Sequence, residues 1–281
     1  MKIDVVDMRA DNAPKEFVDN LRRTGFGVLS HHPIPAESVK NIYEEWLTFF
    51  NGQDKEKFLF DEANHDGFFP SRKAEAAKGS MIRDLKEYYH FYKWGRCPDK
   101  LKVITEEYFA KATELSETLL SWVQEHSPEA ISKKLSEPLS NMTKGSKQNL
   151  LRVLHYPPLS GEEPKGAIRA SAHEDINLLT LLPAANAPGL QLKRKDGSWY
   201  DVPCDFGHLI VNIGDMLQEA TDGYFPSTTH RVINPEGGAV NTSRVSLPLF
   251  LHPRADVVLS EKYTAGAYLK ERLDELKEAT S

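Results

Sequence analysis

The chain has 281 residues, enough for one large domain with a substantial core or for two small ones. Its composition is that of a globular protein, 40% hydrophobic and 27% charged, and a formal net charge of -6 argues against a broad basic face for nucleic acid. Two cysteines, Cys97 and Cys204, stand far apart and outside any CxxC spacing, which excludes a zinc ribbon or a disulfide framework and fits a reducing cytoplasm.

The opening residues, Met1-Lys2-Ile3-Asp4-Val5-Val6-Asp7, are too charged for a signal peptide. No apolar run reaches the length of about 18 that a membrane span needs. Residues 3–7 read as a short strand, and 14–23 as a helix with Pro14 at its start. Residues 25–30 read as a strand. A second helix follows Pro35, with Val39, Ile42, Tyr43, Trp46, Phe49 and Phe50 at helical spacing. Residues 52–94 read as irregular, with aromatic pairs at Phe68-Phe69 and Tyr88-Tyr89. A long helix is predicted over 99–126, where Val103, Ile104, Tyr108, Ala112, Leu115, Leu119 and Trp122 form one stripe. Asn141-Met142-Thr143 and Asn241-Thr242-Ser243 match a glycosylation sequon, read here as chance matches without a secretory signal.

From Asn149 the pattern changes to short apolar runs cut by Gly, Pro and Asn: 150–156, 178–182, 190–193, 199–202, 208–213, 228–233 and 245–251. Strands at this spacing predict a sandwich or jelly roll. Asp196-Gly197 between two of them is a hairpin signal. A last helix covers 265–278, with Leu269, Leu273 and Leu276 in register. There is no repeat and no low-complexity linker. One domain over 1–281 is expected: a helical N-terminal region (1–148), a jelly-roll core carrying the site (149–255) and a C-terminal helix (256–281).

The chemistry concentrates at His173-Glu174-Asp175. In an extended strand, residues two apart share a face, so His173 and Asp175 would project together and Glu174 away from them. His230, in the strand-like run 228–232, offers a second imidazole. Two histidines and one carboxylate on one face leave three positions open, the arrangement of non-haem Fe(II) oxygen chemistry. A bare HxD is common by chance, so its neighbours decide its meaning. In Arg244-Val245-Ser246 a guanidinium and a hydroxyl share one strand face, suited to a carboxylate. Tyr156 offers another hydroxyl. An arginine inside a barrel needs a counter-charge, and the sequence offers no obvious internal acid.

With these residues in view, the chain resembles the isopenicillin N synthase-like branch of the 2-oxoglutarate/Fe(II) dioxygenases. The resemblance runs over nearly the whole length. It is carried by Gly25-Phe26-Gly27-Val28-Leu29-Ser30-His31-His32, Asp84-Leu85-Lys86-Glu87, Leu151-Arg152-Val153-Leu154-His155-Tyr156-Pro157, His173-Glu174-Asp175, Gly189-Leu190-Gln191-Leu192, Val211-Asn212-Ile213-Gly214-Asp215, His230-Arg231-Val232 and Arg244-Val245-Ser246. Three departures stand out: Leu154 replaces the family's Asn, His31-His32-Pro33 replaces its Asn-His-Gly, and the His-to-Arg interval is long.

The resemblance implies a mainly β fold with flanking helices, a double-stranded β-helix or jelly roll. It implies Fe(II) held by His173, Asp175 and His230. It implies 2-oxoglutarate as cosubstrate on Arg244, Ser246 and Tyr156, O2 as oxidant and ascorbate as a candidate reductant. The reaction would hydroxylate or desaturate a small molecule with release of succinate and CO2. The expected setting is cytoplasmic, without nucleic-acid or membrane partners. Two other readings stay open: an Fe(II) oxidase of the same family that uses no 2-oxoglutarate, and a non-catalytic jelly-roll binding protein.

Glu174 is expected in solvent or a local salt bridge. Arg169, an even number of residues before His173, meets an anionic substrate or is a surface or ion-pair residue. Tyr88, Tyr89 and Phe69 line a substrate pocket or are core aromatics. His155 and His208 read as structural, Asn212 and Asp215 as turn-forming, Cys204 as inert, and the charges of 274–278 as a solvated helix face.

Overall fold

A computed structural model describes residues 2–74, 82–185, 188–203, 205–235 and 241–280, with side chains through Glu275 in the last helix. In chain order the elements are β1 (Val5–Asp7), α1 (Ala13–Thr24), β2 (Phe26–Ser30), α2 (Ala36–Asn51), β3 (Gly67–Phe69), β4 (Glu87–Phe91) and α3 (Asp99–Glu125). Next come α4 (Glu129–Ser132), α5 (Leu139–Met142), β5 (Leu150–Tyr156), β6 (Ala170–His173), β7 (Leu179–Pro183), β8 (Leu190–Lys193), β9 (Trp199–Asp201) and β10 (Leu209–Ile213). The chain finishes with α6 (Asp215–Ala220), β11 (His230–Val232), β12 (Arg244–Ser246), β13 (Leu249–Leu251) and α7 (Ala265–Thr280).

The main sheet runs β1-β2-β10-β7-β13-β5-β4-β3, with β12 also paired to β5, and a second sheet runs β6-β11-β8-β9. Side chains alternate across the main sheet, and its two faces bury different things. One face, with Leu29, Phe68, Tyr89, Leu151, Val153, Leu181, Leu209 and Val211, joins α1, α2 and α3 in a large core around Trp46. The other, with Phe26, Val28, Phe69, Tyr88, Leu154, Tyr156 and Ile210, closes on Ala170, Leu190, Leu192 and Val232 of the second sheet. The space between the sheets is the inside of the jelly roll, as expected from the resemblance.

Local chemistry sets several boundaries. α1 begins where Pro14 costs no helical hydrogen bond and ends at Gly25, whose φ of 73° lets its amide donate to the Leu21 carbonyl. A Cβ there would collide with Thr228 Oγ1, so this glycine also lets β2 approach the segment that leads to His230. The Asp196-Gly197 signal is a hairpin between β8 and β9, closed by the Asp196 carboxylate, which accepts from the Ser198 amide and hydroxyl.

The structure corrects the reading in five places. Residues 52–94 are not irregular: they hold 3-10 turns at Asp54–Phe58 and Ser71–Lys73 and the strands β3 and β4. All five residues of β4 are buried, so no apolar-polar alternation marked it. Region 1–148 is therefore not only helical but supplies four strands to the main sheet. The run 245–251 is two strands, broken at Pro248, which has no amide to donate. The α3 stripe is wider than the predicted one and excludes Val103: Tyr108, Ala112, Leu115 and Leu119 are buried as expected, Val103 is 63% exposed, and Leu101, Thr105, Phe109, Leu120 and Val123 are buried as well. In α7, Leu273 is 41% exposed, and Leu276 lies outside the described side chains. No described helix is long and apolar enough to cross a membrane.

Candidate metal centre

Strand pairing brings the two imidazoles together. β11 runs antiparallel to β6, and His230 is the register partner of His173, so their rings sit 4.4 Å apart. β6 ends at His173. Asp175 thus lies beyond the strand, where strand alternation alone would not place it. The backbone turns instead, and the Asp175 carbonyl accepts the Asp215 amide at the start of α6 (2.7 Å). Asp175 Oδ1 then lies 3.7 Å from His173 Nε2 and 3.8 Å from His230 Nε2. One ligand atom from each of the three residues falls within 4.8 Å of the others, the only such group of three or more potential ligands among the described residues.

Each ligand atom is presented by a neighbour. His173 Nδ1 meets the Ser171 carbonyl at 2.7 Å, and His230 Nδ1 meets the Thr228 carbonyl at 3.1 Å. A carbonyl only accepts, so each Nδ1 carries the proton and each Nε2 lone pair faces the centre. Asp175 Oδ2 accepts from the Thr180 hydroxyl (2.6 Å) and the Asn212 amide (2.7 Å), which leaves Oδ1 for a cation. Burial opposes ionisation of Asp175, but His230, His173 and these two donors outweigh it and hold the carboxyl below its usual range. His173 is pushed down to about 4, by burial and then by His230. Its side chain is 45% exposed, whereas the His230 side chain is 9% exposed and packs edge-on against Phe26. Two imidazole nitrogens and one carboxylate oxygen form a donor set that fits Fe(II) and leaves room for further ligands.

The second predicted group also assembles. β12 pairs with β5 so that Arg244 faces Tyr156 and Ser246 faces Leu154. All four are buried. Arg244 Cζ lies 5.6 Å from the Tyr156 ring centre, and its Nη1 donates to the Pro188 carbonyl at 3.4 Å. Its Nε is buried without a partner, and no carboxylate pairs with it among the described residues. Gly189 adopts a φ of 123° that only glycine holds easily, and a Cβ there would press on the Ile233 carbonyl at 3.0 Å. A buried guanidinium without an acid fits the carboxylate of a bound diacid.

Other candidates sort by sheet face. Phe69 and Tyr88 face the interior, with rings stacked 4.8 Å apart, while Tyr89 points outward onto Trp46 at 5.0 Å. Arg152, two residues before Leu154, lies over the rings of Tyr88 and Phe250, and its Nε donates to His90 at 2.9 Å. Phe250 is the register partner of Thr180, whose hydroxyl donates to the Asp175 carboxylate. Asp84 accepts the Ser171 amide and pairs with Lys86 at 2.9 Å, while Glu87 turns outward to Lys55 and His155. A cavity of about 470 Å³ under α7, lined by Met216, His252 and Leu269 among others, contains none of the three converging residues.

Some expectations change. Glu174 does face away, but it accepts a hydrogen bond from Thr229 at 2.6 Å and forms no salt bridge among the described residues. Asn212 is not a turn residue: it sits in β10, fully inside, and orients Asp175. Arg169 is neither on the surface nor in a described ion pair; it is 2% exposed. Cys204 lies outside the described residues. Sequence reasoning missed Thr180, Asn212 and Arg152 as site residues. A signal existed for two of them: Thr180 and Asn212 are each the one polar residue of an otherwise apolar strand.

The comparisons agree with this geometry. The model of the 2OG-Fe(II) oxygenase superfamily matches residues 147–253, and that of the N-terminal region of non-haem dioxygenases in morphine synthesis matches 3–109. The chain is 33% identical over 261 residues to gibberellin 2-beta-dioxygenase 2 of Arabidopsis thaliana, covering 89% of this chain and 74% of that protein. It is 58% identical to a Shewanella oneidensis chain whose structure is described as that of an oxygenase, with a TM-score of 0.90 and coverage of 99% of each chain. The structure of a full-length Neurospora crassa protein in complex with alpha-KG shares the fold at a TM-score of 0.80 and 21% identity, over 97% of this chain and 96% of that one. The chain belongs to the 2OG-Fe(II) oxygenase superfamily, in its isopenicillin N synthase-like branch, and is a dioxygenase that depends on Fe(II) and 2-oxoglutarate.

Proposed function

We propose that His173, Asp175 and His230 hold the iron, and that Arg244, Ser246 and Tyr156 take the distal carboxylate of 2-oxoglutarate. We further propose that the enzyme hydroxylates or desaturates a small organic molecule, with release of succinate and CO2. The observation that carries this reading is the convergence of three ligand atoms within 4.8 Å, next to a buried arginine with no described acid. Iron and 2-oxoglutarate together supply the oxidising chemistry when bound. The protein's part is to fix them and to exclude water. Thr180 and Asn212 keep Asp175 aimed, the Ser171 and Thr228 carbonyls keep both Nε2 atoms free, and Arg244 sets the register of the diacid.

The substrate chamber is the interior face around Phe69, Tyr88, Arg152 and Phe250. Rings on several sides favour a small molecule with a flat or apolar skeleton, and the Arg152 and His90 pair favours one with a polar acceptor. The similarity to a gibberellin dioxygenase, itself named for a small-molecule substrate, supports that class.

Succinate release from 2-oxoglutarate, measured against a small-molecule library, tests the reading. His173→Ala and Asp175→Ala should each abolish iron-dependent release and lower bound iron. An undiminished rate in either variant would remove the assignment. Activity that persists without 2-oxoglutarate would favour the cosubstrate-independent oxidase instead.

A further inference from the structure

We propose that Arg169 is a second guanidinium of the cosubstrate pocket, acting with Arg244 on the distal carboxylate of 2-oxoglutarate. The inference rests on the assignment of Arg244 above and extends it to a residue outside the R-x-S pattern.

Arg169 stands just before β6, on the second sheet, whereas Arg244 is on β12 of the main sheet. The two arginines reach the same phenol from different elements. Arg169 Cζ is 5.9 Å and Arg244 Cζ 5.6 Å from the Tyr156 ring centre. Arg169 is 2% and Arg244 3% exposed. Arg169 Nη2 donates to the Thr242 carbonyl at 3.1 Å, two residues ahead of Arg244. The Nε atoms of both are buried and unpartnered. No carboxylate pairs with either arginine among the described residues.

Two guanidinium ions each within 5.9 Å of one ring centre repel each other, and carbonyl contacts do not repay the loss of water around two buried charges. Burial, and then Arg244, weaken the hold of Arg169 on its proton. An anion between them removes both penalties. A carboxylate has about four lone-pair sites, enough for two forks and a hydroxyl. On this geometry Arg169 binds and positions the cosubstrate away from the reacting end.

The test measures keto-acid affinity anaerobically on the full-length iron-loaded enzyme by calorimetry, with 2-oxoglutarate and with 2-oxobutyrate, which lacks the distal carboxylate. Arg169→Gln should weaken 2-oxoglutarate about 10- to 100-fold, the range of a hydrogen bond to a charged group, and leave 2-oxobutyrate unchanged. Arg169→Lys should recover part of the loss. Without keto acid the thermal midpoint of Arg169→Gln should not fall, because an uncompensated charge has gone. Its rise on saturation with 2-oxoglutarate should shrink.

Unchanged 2-oxoglutarate affinity in Arg169→Gln, with a loss in Arg244→Gln, overturns the role of Arg169 alone. Unchanged affinity in Arg244→Gln overturns the pocket itself. Equal weakening of both keto acids together with a lower ligand-free midpoint marks Arg169 as structural and overturns the proposal. Should Arg169→Gln not fold, the lysine variant decides: equal affinity for 2-oxoglutarate with wild type overturns the proposal, and a selective loss supports it.

Discussion

The two faces of the main sheet use the same strands for opposite purposes. On the helix side, Phe68, Tyr89, Val153 and Val211 are apolar or aromatic and meet Trp46, Phe49 and Phe50 in a continuous core. One residue along each strand, on the interior side, stand Phe69, Tyr88, Arg152 and Asn212, and near them Arg244, Ser246 and Thr180. The first face gains free energy from area removed from water. The second gives some of that up to hold charges and amides in fixed directions. The lesson is that strand alternation separates stability from chemistry within a single layer, so substitutions one residue apart should act on different observables.

The largest expected effect is on the helix side. Trp46 is fully buried, with rings of three neighbours within 6.0 Å and its indole donating to Thr105. Trp46→Ala should cost about 3–5 kcal/mol in denaturant unfolding while the iron affinity of the folded fraction stays unchanged. A shift in iron affinity as large as the stability loss would break the division between the faces.

His252 follows in size. It lies beyond the end of β13, buried, and burial pushes its pKa down to about 4. The unfolded chain then binds more protons than the native one between about pH 4 and the usual value of about 6.5. Stability should therefore rise with pH across that window, by up to about 3 kcal/mol from this group. His252→Asn should flatten that part of the curve in pH-dependent urea melts.

Asn212→Ala comes next. It removes one of the two donors to Asp175, and iron affinity should fall about 10- to 100-fold with a smaller change in the thermal midpoint. Glu174→Gln is the smallest: the side chain is exposed and turned away, so stability should move by less than about 0.5 kcal/mol and turnover should be unchanged. A large loss on this substitution would mean that the middle residue of the motif reaches the iron.

The lengths of α1, α2 and α3, most strands of the second half and the Asp196-Gly197 hairpin were legible because apolar spacing and turn residues mark them directly; β6 has no apolar run, and the break between β12 and β13 went unread. β3 and β4 were not, because a strand buried on both faces shows no period. His173 and His230 could be paired only through the ordered motifs, since β6 and β11 are far apart in sequence. Asp175 converges with the two histidines by a different route from the one the spacing implied: strand geometry ends at His173, and the turn toward α6 aims the carboxylate. Arg169 could not be placed from spacing, because β11 shifts register between its pairings with His173 and Ala170.

The unequal exposure of the two imidazoles has a consequence for assembly. With the His230 side chain 9% and the His173 side chain 45% exposed, an ion held as proposed would exchange by releasing the outer ligand first. Loading would then follow folding and not drive it, unlike small zinc modules that are unstructured without their ion. A chelator should strip the ion and added Fe(II) should restore activity, and the ion should raise the melting temperature only as far as mass action allows.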